Sequence, residues 1–147
     1  MTSGRQSVLA TLERFFAAEA AYLKAGGPGR ARFDEMADCL TPDVVMHQAE
    51  SLPYGGVYEG PAGVERFMTE MSRHWSSLEF LEQRFVIDAD SAVVHNRGVL
   101  VARVSGRRLE TSVMQLIGVR GDRISEFRPF YLDTLAVVRA LEAPRAG

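Results

Sequence analysis

The apolar residues of this chain change their spacing near residue 78, and that change limits the folds open to it. Before this point most of them recur every three or four residues, as on amphipathic helices, and after it they alternate, as on strands with one buried face. The alternating segments are residues 79–88, 91–105, 108–120 and 123–132. Helices followed by consecutive antiparallel strands predict an α+β fold, in which the helices pack on one face of a curved sheet.

The first half of the chain contains three predicted helices. Residues 7–25 form the first, which ends at the Gly-Gly-Pro-Gly of residues 26–29, and residues 33–40 form a short second one that ends at Thr41-Pro42-Asp43. Pro61 opens the third, whose inner face ends with Trp75. Residues 43–50 alternate as a strand, whereas residues 54–61 are predicted to be a loop. Asp133 is the expected cap of a short C-terminal helix.

Length and charge narrow the class of protein. The 147 residues fit a single domain, residues 1–147 with a core of about 7–141, that is large enough to enclose a cavity. A net charge of -2 gives no general attraction to nucleic acids or anionic membranes. No apolar run is long enough for a signal peptide or a membrane span, and Cys39 is the only cysteine, so we expect a cytoplasmic protein without nucleic-acid or membrane partners.

Two polar residues fall on otherwise apolar faces. Glu19 lies in the middle of the apolar stripe of the first helix, where an unpaired charge would be costly. Gln115 points inward by alternation on its strand. Each could be a core residue bonded to the backbone, or each could line a pocket, where such groups are used for chemistry.

Aromatic residues are the expected walls of that pocket. Tyr54, Tyr58 and Trp75 are predicted to shape its mouth, with Phe127 and Tyr131 on the inward set of the last strand. The three histidines show no metal-ligand spacing, so neither a metal nor another cofactor is expected. Cys39 has no neighbouring base and the chain has no Gly-x-Ser-x-Gly motif, which argues against covalent catalysis.

Three segments together resemble the nuclear transport factor 2-like superfamily, in particular its SnoaL-like polyketide cyclases and relatives of ketosteroid isomerase. They are Cys-Leu-Thr-Pro-Asp-Val-Val-Met-His at 39–47, Tyr-Glu-Gly-Pro-Ala-Gly-Val-Glu-Arg-Phe at 58–67, and Val-Arg-Gly-Asp-Arg-Ile-Ser-Glu-Phe-Arg at 119–128. The resemblance implies a cystatin-like α+β barrel, a cone-shaped mixed or antiparallel sheet wrapped around three N-terminal helices with a short C-terminal helix. It also implies a pocket inside the cone and a homodimer formed through the open sheet.

The resemblance assigns expected roles to several positions. Glu19 matches a tyrosine that donates a hydrogen bond to the developing oxyanion in the isomerase branch, and Gln115 matches an acid of the same oxyanion hole. The general base of that branch, an aspartate, aligns with Gln48 or its immediate neighbour, so we expect His47 to replace it as a base with a pKa suited to neutral pH. Alternation allows either His47 or Gln48 to face inward, and the sequence leaves this open.

The resulting hypothesis is a cofactor-free isomerase or cyclase that transfers a proton next to a carbonyl, with Glu19 and His47 as catalytic residues. The expected substrate is a hydrophobic small molecule such as a polyketide intermediate. The alternative is a non-catalytic dimeric protein that binds such a molecule. Epoxide hydrolysis is less favoured, because the chain lacks the pair of inward aspartates around an arginine that this reaction needs on this fold.

Overall fold

The computed structural model of the protein describes residues 2–142 and contains four helices in that range. They are α1 (Thr2–Ala25), α2 (Asp34–Ala37), α3 (Gly60–His74) and α4 (Thr134–Leu141). Asp133 caps α4 as expected, since its Oδ1 accepts a hydrogen bond from the backbone N–H of Ala136 at 3.0 Å. In the described part of the chain no helix is long and apolar enough to cross a membrane.

Six strands form one sheet. They are β1 (Leu40–Gln48), β2 (Gly56–Glu59), β3 (Trp75–Asp88), β4 (Ser91–Ala102), β5 (Arg108–Arg120) and β6 (Arg123–Tyr131). The strand order is β2-β1-β6-β5-β4-β3, in which only the β1–β6 pair is parallel. The mixed sheet and the order of helices and strands confirm the predicted α+β architecture.

The register of the four long strands places the inward side chains in rows across the sheet. One row runs from Gln83 on β3 through Asn96 and Val113 to Tyr131 on β6. The next row contains Phe85, Val94, Gln115 and Pro129. Because strands lie ~4.8 Å apart, residues at the two ends of a row are separated by roughly 14 Å.

The long helix α1 and helix α3 cover this inner face. The ring of Phe15 in α1 packs 4.9 Å from that of Phe127 on β6, and the ring of Phe16 packs 5.8 Å from that of Phe80 on β3. Helix α3 packs mainly on β1. The helices therefore close one side of the sheet, and the core lies between them and the strands.

Three local predictions were wrong. Residues 56–59 form strand β2 inside the predicted loop, because their backbone pairs with the edge of β1. Thr41-Pro42-Asp43 lies within β1 and does not end a helix, since α2 stops at Ala37. Trp75 begins β3 and does not belong to the face of α3, although it is fully buried as expected for an inner residue.

Candidate functional site

A cavity of about 70 Å³ lies between α1, α3 and the inner face of the sheet. Apolar side chains form most of its wall, as in small-molecule sites generally. The apolar lining residues are Phe15, Met46, Phe67, Met71, Leu78, Phe80, Leu100, Val113, Phe127 and Pro129. The polar ones are Glu19, Gln48, Tyr54, Asn96, Thr111, Gln115 and Tyr131, and Gly98 contributes backbone.

Glu19 is the one carboxylic acid among these lining residues of the described chain. The buried stripe of α1 carries it inward, so that only 8 % of the residue is exposed. Its carboxyl group makes no hydrogen bond or ion pair with any described residue. Burial raises the pKa of Glu19 from its ordinary value of 4.5 to about 7, because the charged form loses hydration. Glu19 therefore exchanges a proton near neutral pH.

Tyr54 presents a phenol to the cavity from a buried position. Its hydroxyl oxygen accepts a hydrogen bond from Trp75 Nε1 at 3.1 Å, and its backbone carbonyl accepts one from the Tyr58 hydroxyl at 2.9 Å. Burial raises the pKa of Tyr54 to about 12, so the phenol stays neutral. Trp75 and Tyr58, which were predicted at the mouth, instead lie behind Tyr54 and hold it in place.

Tyr131 and Gln48 form the second polar contact of the cavity. The Tyr131 hydroxyl donates to Gln48 Oε1 at 2.6 Å, which joins β6 to β1 across the inner face. Burial raises the pKa of Tyr131 well above its ordinary value of 10, so this hydroxyl is a neutral donor. The bond leaves the Gln48 amide nitrogen without a partner among the described residues.

The structure places His47 on the outer face of β1 and Gln48 on the inner face. The His47 side chain is about one third exposed, and its Nε2 lies 3.7 Å from a carboxylate oxygen of Glu126, which also faces outward. His47 is absent from the cavity wall, contrary to the expectation that it supplies the missing base. The strict alternation of a strand explains this, because Met46 and Gln48 share the buried face.

Gln115, Phe127 and Tyr131 lie where the sequence placed them, on the cavity wall. Asn96 was not predicted. It is 6 % exposed and accepts a hydrogen bond at Oδ1 from Gln83 Nε2 at 2.9 Å. Apolar residues occur on both faces of its strand in almost equal number, so alternation did not show which face is buried. The one available signal was an amide between Val94 and Gly98.

The arrangement can hold and move one proton next to several neutral hydrogen-bond donors. The cavity wall contains no pair of carboxylates and no arginine in the described chain, so it lacks the groups that epoxide hydrolysis needs on this fold. Within residues 2–142 no three His, Cys, Asp or Glu side chains come together as a metal site.

The comparisons with solved structures agree with this architecture. A proposed SnoaL-like polyketide cyclase from Jannaschia is 19 % identical, with a TM-score of 0.74 over 95 % of this chain and 94 % of that one. A proposed isomerase from Bacillus subtilis is 16 % identical, with a TM-score of 0.71 over 93 % and 94 %. TerC, co-crystallised with polyporic acid, is 17 % identical, with a TM-score of 0.73 over 90 % and 98 %. At these identities the likeness shows the fold alone.

The sequence itself gives the family. No curated protein shows significant sequence similarity to the chain. Residues 12–127, however, match the SnoaL-like domain, and this range includes the part of α1 that carries Glu19, the whole of β1 and the sheet as far as Phe127. The protein therefore belongs to the SnoaL-like domain family.

Proposed function

We propose that the protein is a cofactor-independent isomerase or cyclase that transfers a proton next to a carbonyl group of a hydrophobic small molecule, such as a polyketide intermediate. The observation that carries this proposal is Glu19, a carboxyl group with a pKa of about 7 that faces an apolar cavity. A base is most effective when its pKa lies near the working pH. Burial gives Glu19 this value without a second charged residue.

The proposed reaction begins with removal of a proton from the carbon beside the carbonyl. Ionised Glu19 takes the proton and becomes a neutral acid, and the electron pair of the C–H bond moves to the carbonyl oxygen as an enolate. The neutral donors Tyr54, Gln48 and Gln115 are suited to stabilise that oxygen. Glu19 then returns the proton to another carbon in an isomerisation. In a cyclisation the enolate carbon attacks a second carbonyl, and Glu19 returns its proton to the alkoxide that forms there.

The wall and volume of the cavity support a small cyclic substrate. Drug-sized ligands occupy pockets of about 300–1,000 Å³, and the present cavity of about 70 Å³ is smaller. A one- or two-ring compound comes nearest to this size, but benzene already fills an apolar cavity of about 150 Å³, so binding needs the flexible side chains of Met46 and Met71 to move. The co-crystallisation of TerC with polyporic acid supports a small organic ligand in a related fold.

The alternative function is non-catalytic binding of a hydrophobic small molecule. It is favoured by Gln48, an amide that cannot accept a proton at the position matched to the aspartate base of the isomerase branch. The same cavity would then serve only for recognition. Under this alternative Glu19 is a polar contact and its ionisation has no effect on turnover.

Exchange of carbon-bound hydrogen with solvent deuterium separates the two functions. The wild-type protein should accelerate exchange at the α-carbons of 2-tetralone, a two-ring ketone, with a rate that rises with pH through about 7 as Glu19 ionises. Glu19→Gln should reduce the acceleration by at least about 100-fold, the usual range for loss of a general base. Glu13→Gln is the matched control, because Glu13 is exposed on the same helix.

Two results would contradict the proposed proton transfer. Binding of 2-tetralone without exchange would overturn catalysis and favour the binding function. Exchange that is equal in the wild type and Glu19→Gln would remove Glu19 from the mechanism. Binding is followed by the fluorescence of Trp75, the only tryptophan, which contacts the cavity residue Tyr54.

We also propose that the protein forms a homodimer through the outer face of the sheet. Four apolar side chains are exposed there on β5, β6 and the residue after β6, namely Met114, Leu116, Phe130 and Leu132, and between 43 % and 77 % of each is open to solvent. Exposed apolar patches of this kind mark interaction surfaces. A cytoplasmic location stays a prediction from the sequence.

A further inference from the structure

Asn96 is a buried amide that no part of the proposed proton transfer uses. It lies on β4, faces the cavity and is only 6 % exposed. An amide in such a place is costly unless each polar atom finds a partner. One partner is visible, because Asn96 Oδ1 accepts a hydrogen bond from Gln83 Nε2 on the neighbouring strand.

The other polar atom of Asn96 has no such partner. Its Nδ2 makes no hydrogen bond with any described residue. In the described chain, however, every side-chain nitrogen or oxygen that is buried from solvent has a hydrogen-bond partner. Nδ2 must therefore be open to the cavity. With the Gln83 amide donating to the Asn96 oxygen, Asn96 presents its NH₂ group to the cavity, and that group is a hydrogen-bond donor.

The position of Asn96 separates it from the polar contact of Tyr131 with Gln48. Asn96 and Tyr131 belong to the same inward row, with Val113 between them, so their strands are roughly 10 Å apart. Gln115 lies between these two positions, as a diagonal neighbour of Asn96 on β5. The cavity thus has polar groups on two sides, and on the strand between them the apolar Val113 lies next to the polar Gln115.

We propose that Asn96 is a specificity-determining residue that donates a hydrogen bond to a second oxygen of the substrate, and that Gln83 is the residue that positions it. The substrate class is then a hydrophobic ring compound with oxygen atoms at opposite ends, one near Tyr131 and Gln48 and one near Asn96. This inference rests on the proposed ligand site, but it does not require that Glu19 act as a base. A ring compound without the second oxygen leaves Nδ2 unpaired and binds less well.

NMR can observe Asn96 directly, because it is the only asparagine in the chain. Selective ¹⁵N-asparagine labelling yields a single side-chain NH₂ group. Addition of 6-hydroxy-2-tetralone, which carries oxygen at both ends, should move one of its two proton signals downfield. Tetralin, the matched hydrocarbon, should not do so. Equal shifts with both compounds, or no shift while Trp75 fluorescence reports binding, would overturn the inference.

Affinity measurements on two variants test the roles of Asn96 and Gln83. Asn96→Leu should weaken binding of 6-hydroxy-2-tetralone about 10-fold, as expected for one lost hydrogen bond, and should leave binding of 2-tetralone almost unchanged. Gln83→Glu, when ionised, should turn the Asn96 amide so that its oxygen faces the cavity. Binding of 6-methoxy-2-tetralone, which can only accept at that end, should then weaken, whereas the 6-hydroxy compound should keep its affinity.

The controls separate failure of this inference from failure of the proposed function. His95→Leu changes the adjacent, outward-facing residue of β4 and should leave the affinities unaltered. If Asn96→Leu has no effect on binding of 6-hydroxy-2-tetralone, Asn96 is not a specificity residue even if deuterium exchange persists. If none of the ring compounds binds the wild-type protein, the ligand site itself is wrong and the inference falls with it.

Discussion

At the scale of single residues, Glu19 couples the chemistry of the site to the stability of the fold. The folded protein holds its proton up to about pH 7, whereas an unfolded chain releases it near 4.5. Between these values the folded state binds more protons, so the stability that Glu19 contributes is present below about pH 4.5 and is lost as the pH rises through about 7.

Glu19→Gln should therefore stabilise the protein at high pH. The neutral amide avoids burial of a charge, and the free energy of unfolding at pH 8.5 should rise by up to about 3 kcal/mol relative to the wild type. At pH 4 the two proteins should differ much less. Urea unfolding at both pH values measures the effect, and a variant that is no more stable at pH 8.5 would contradict the burial of an unpaired carboxyl.

The bond between Tyr131 and Gln48 gives a second prediction at this scale. Tyr131→Phe removes the donor and leaves Gln48 Oε1 buried without its partner, so it should lower the free energy of unfolding by about 1–3 kcal/mol. Adding Gln48→Leu to Tyr131→Phe should recover part of that loss, because no orphaned amide remains. A double-mutant cycle that shows no coupling would mean that the bond is absent in solution.

Single residues differ in how well the sequence predicts them. The helical stripe was enough to place Glu19 against the core, since Phe15, Phe16 and Leu23 surround it on the same face. The choice between His47 and Gln48 needed the register of β1 against β6, which a local pattern does not contain. Asn96 was not predicted, because apolar residues occur on both faces of β4 in almost equal number.

At the scale of elements, the junction of α1 with α3 depends on Gly27. This residue has φ +81°, and a Cβ built on it would lie 2.5 Å from Ser72 Oγ on α3. The backbone N–H of Gly27 also bonds to the carbonyl of Tyr22 and so ends α1. This close approach holds the C-terminal end of α1 against α3.

Gly27→Ala should destabilise the protein more than Gly29→Ala. Both glycines have positive φ, so both substitutions carry a backbone penalty of about 1 kcal/mol, but a Cβ at Gly29 meets no atom within 4 Å. The difference between the two variants in thermal unfolding isolates the contact with Ser72. Equal destabilisation would show that α3 moves away freely and that the junction is not tightly packed.

Helices and strands were predicted well where one face is buried and the other is exposed. The last four strands and the capped α4 matched their predicted ranges within a few residues, because alternation and turn residues agree there. Strand β2 was not predicted because it is short, follows Tyr54 and Gly55 and begins with Gly56, all of which are typical of a loop, and because its pairing with β1 is a tertiary effect. Pro42 lies within β1 between Leu40 and Val45, where the pairing of β1 with β6 changes register.

At the scale of the whole molecule, the outer sheet face predicts the oligomeric state. Phe130 is 64 % exposed in the centre of the apolar patch with Met114 and Leu116. Phe130→Glu should convert a dimer to a monomer in light scattering, because a buried unpaired charge opposes association. Val104→Glu is the control, since Val104 is equally apolar and 83 % exposed in a turn outside this patch. A wild-type monomer, or a dimer that survives Phe130→Glu, would contradict this interface.

The architecture of the molecule was predictable, but its function depends on groups that meet only in the folded chain. Glu19 comes from the first helix, Gln48 from the first strand and Tyr131 from the last, and the parallel pairing of β1 with β6 brings the latter two together. Such long-range contacts determine both the neutral donors and the dehydration of the acid.

The titration of Glu19 tests the central claim most directly. The side-chain carboxyl carbon of Glu19 is followed by NMR from pH 3 to pH 9 and is assigned by its absence in Glu19→Gln. A midpoint near pH 7 is predicted, because the carboxyl lies in an apolar cavity without a partner among the described residues. A midpoint near its ordinary value of 4.5 would place the group in water and contradict the proposed proton transfer.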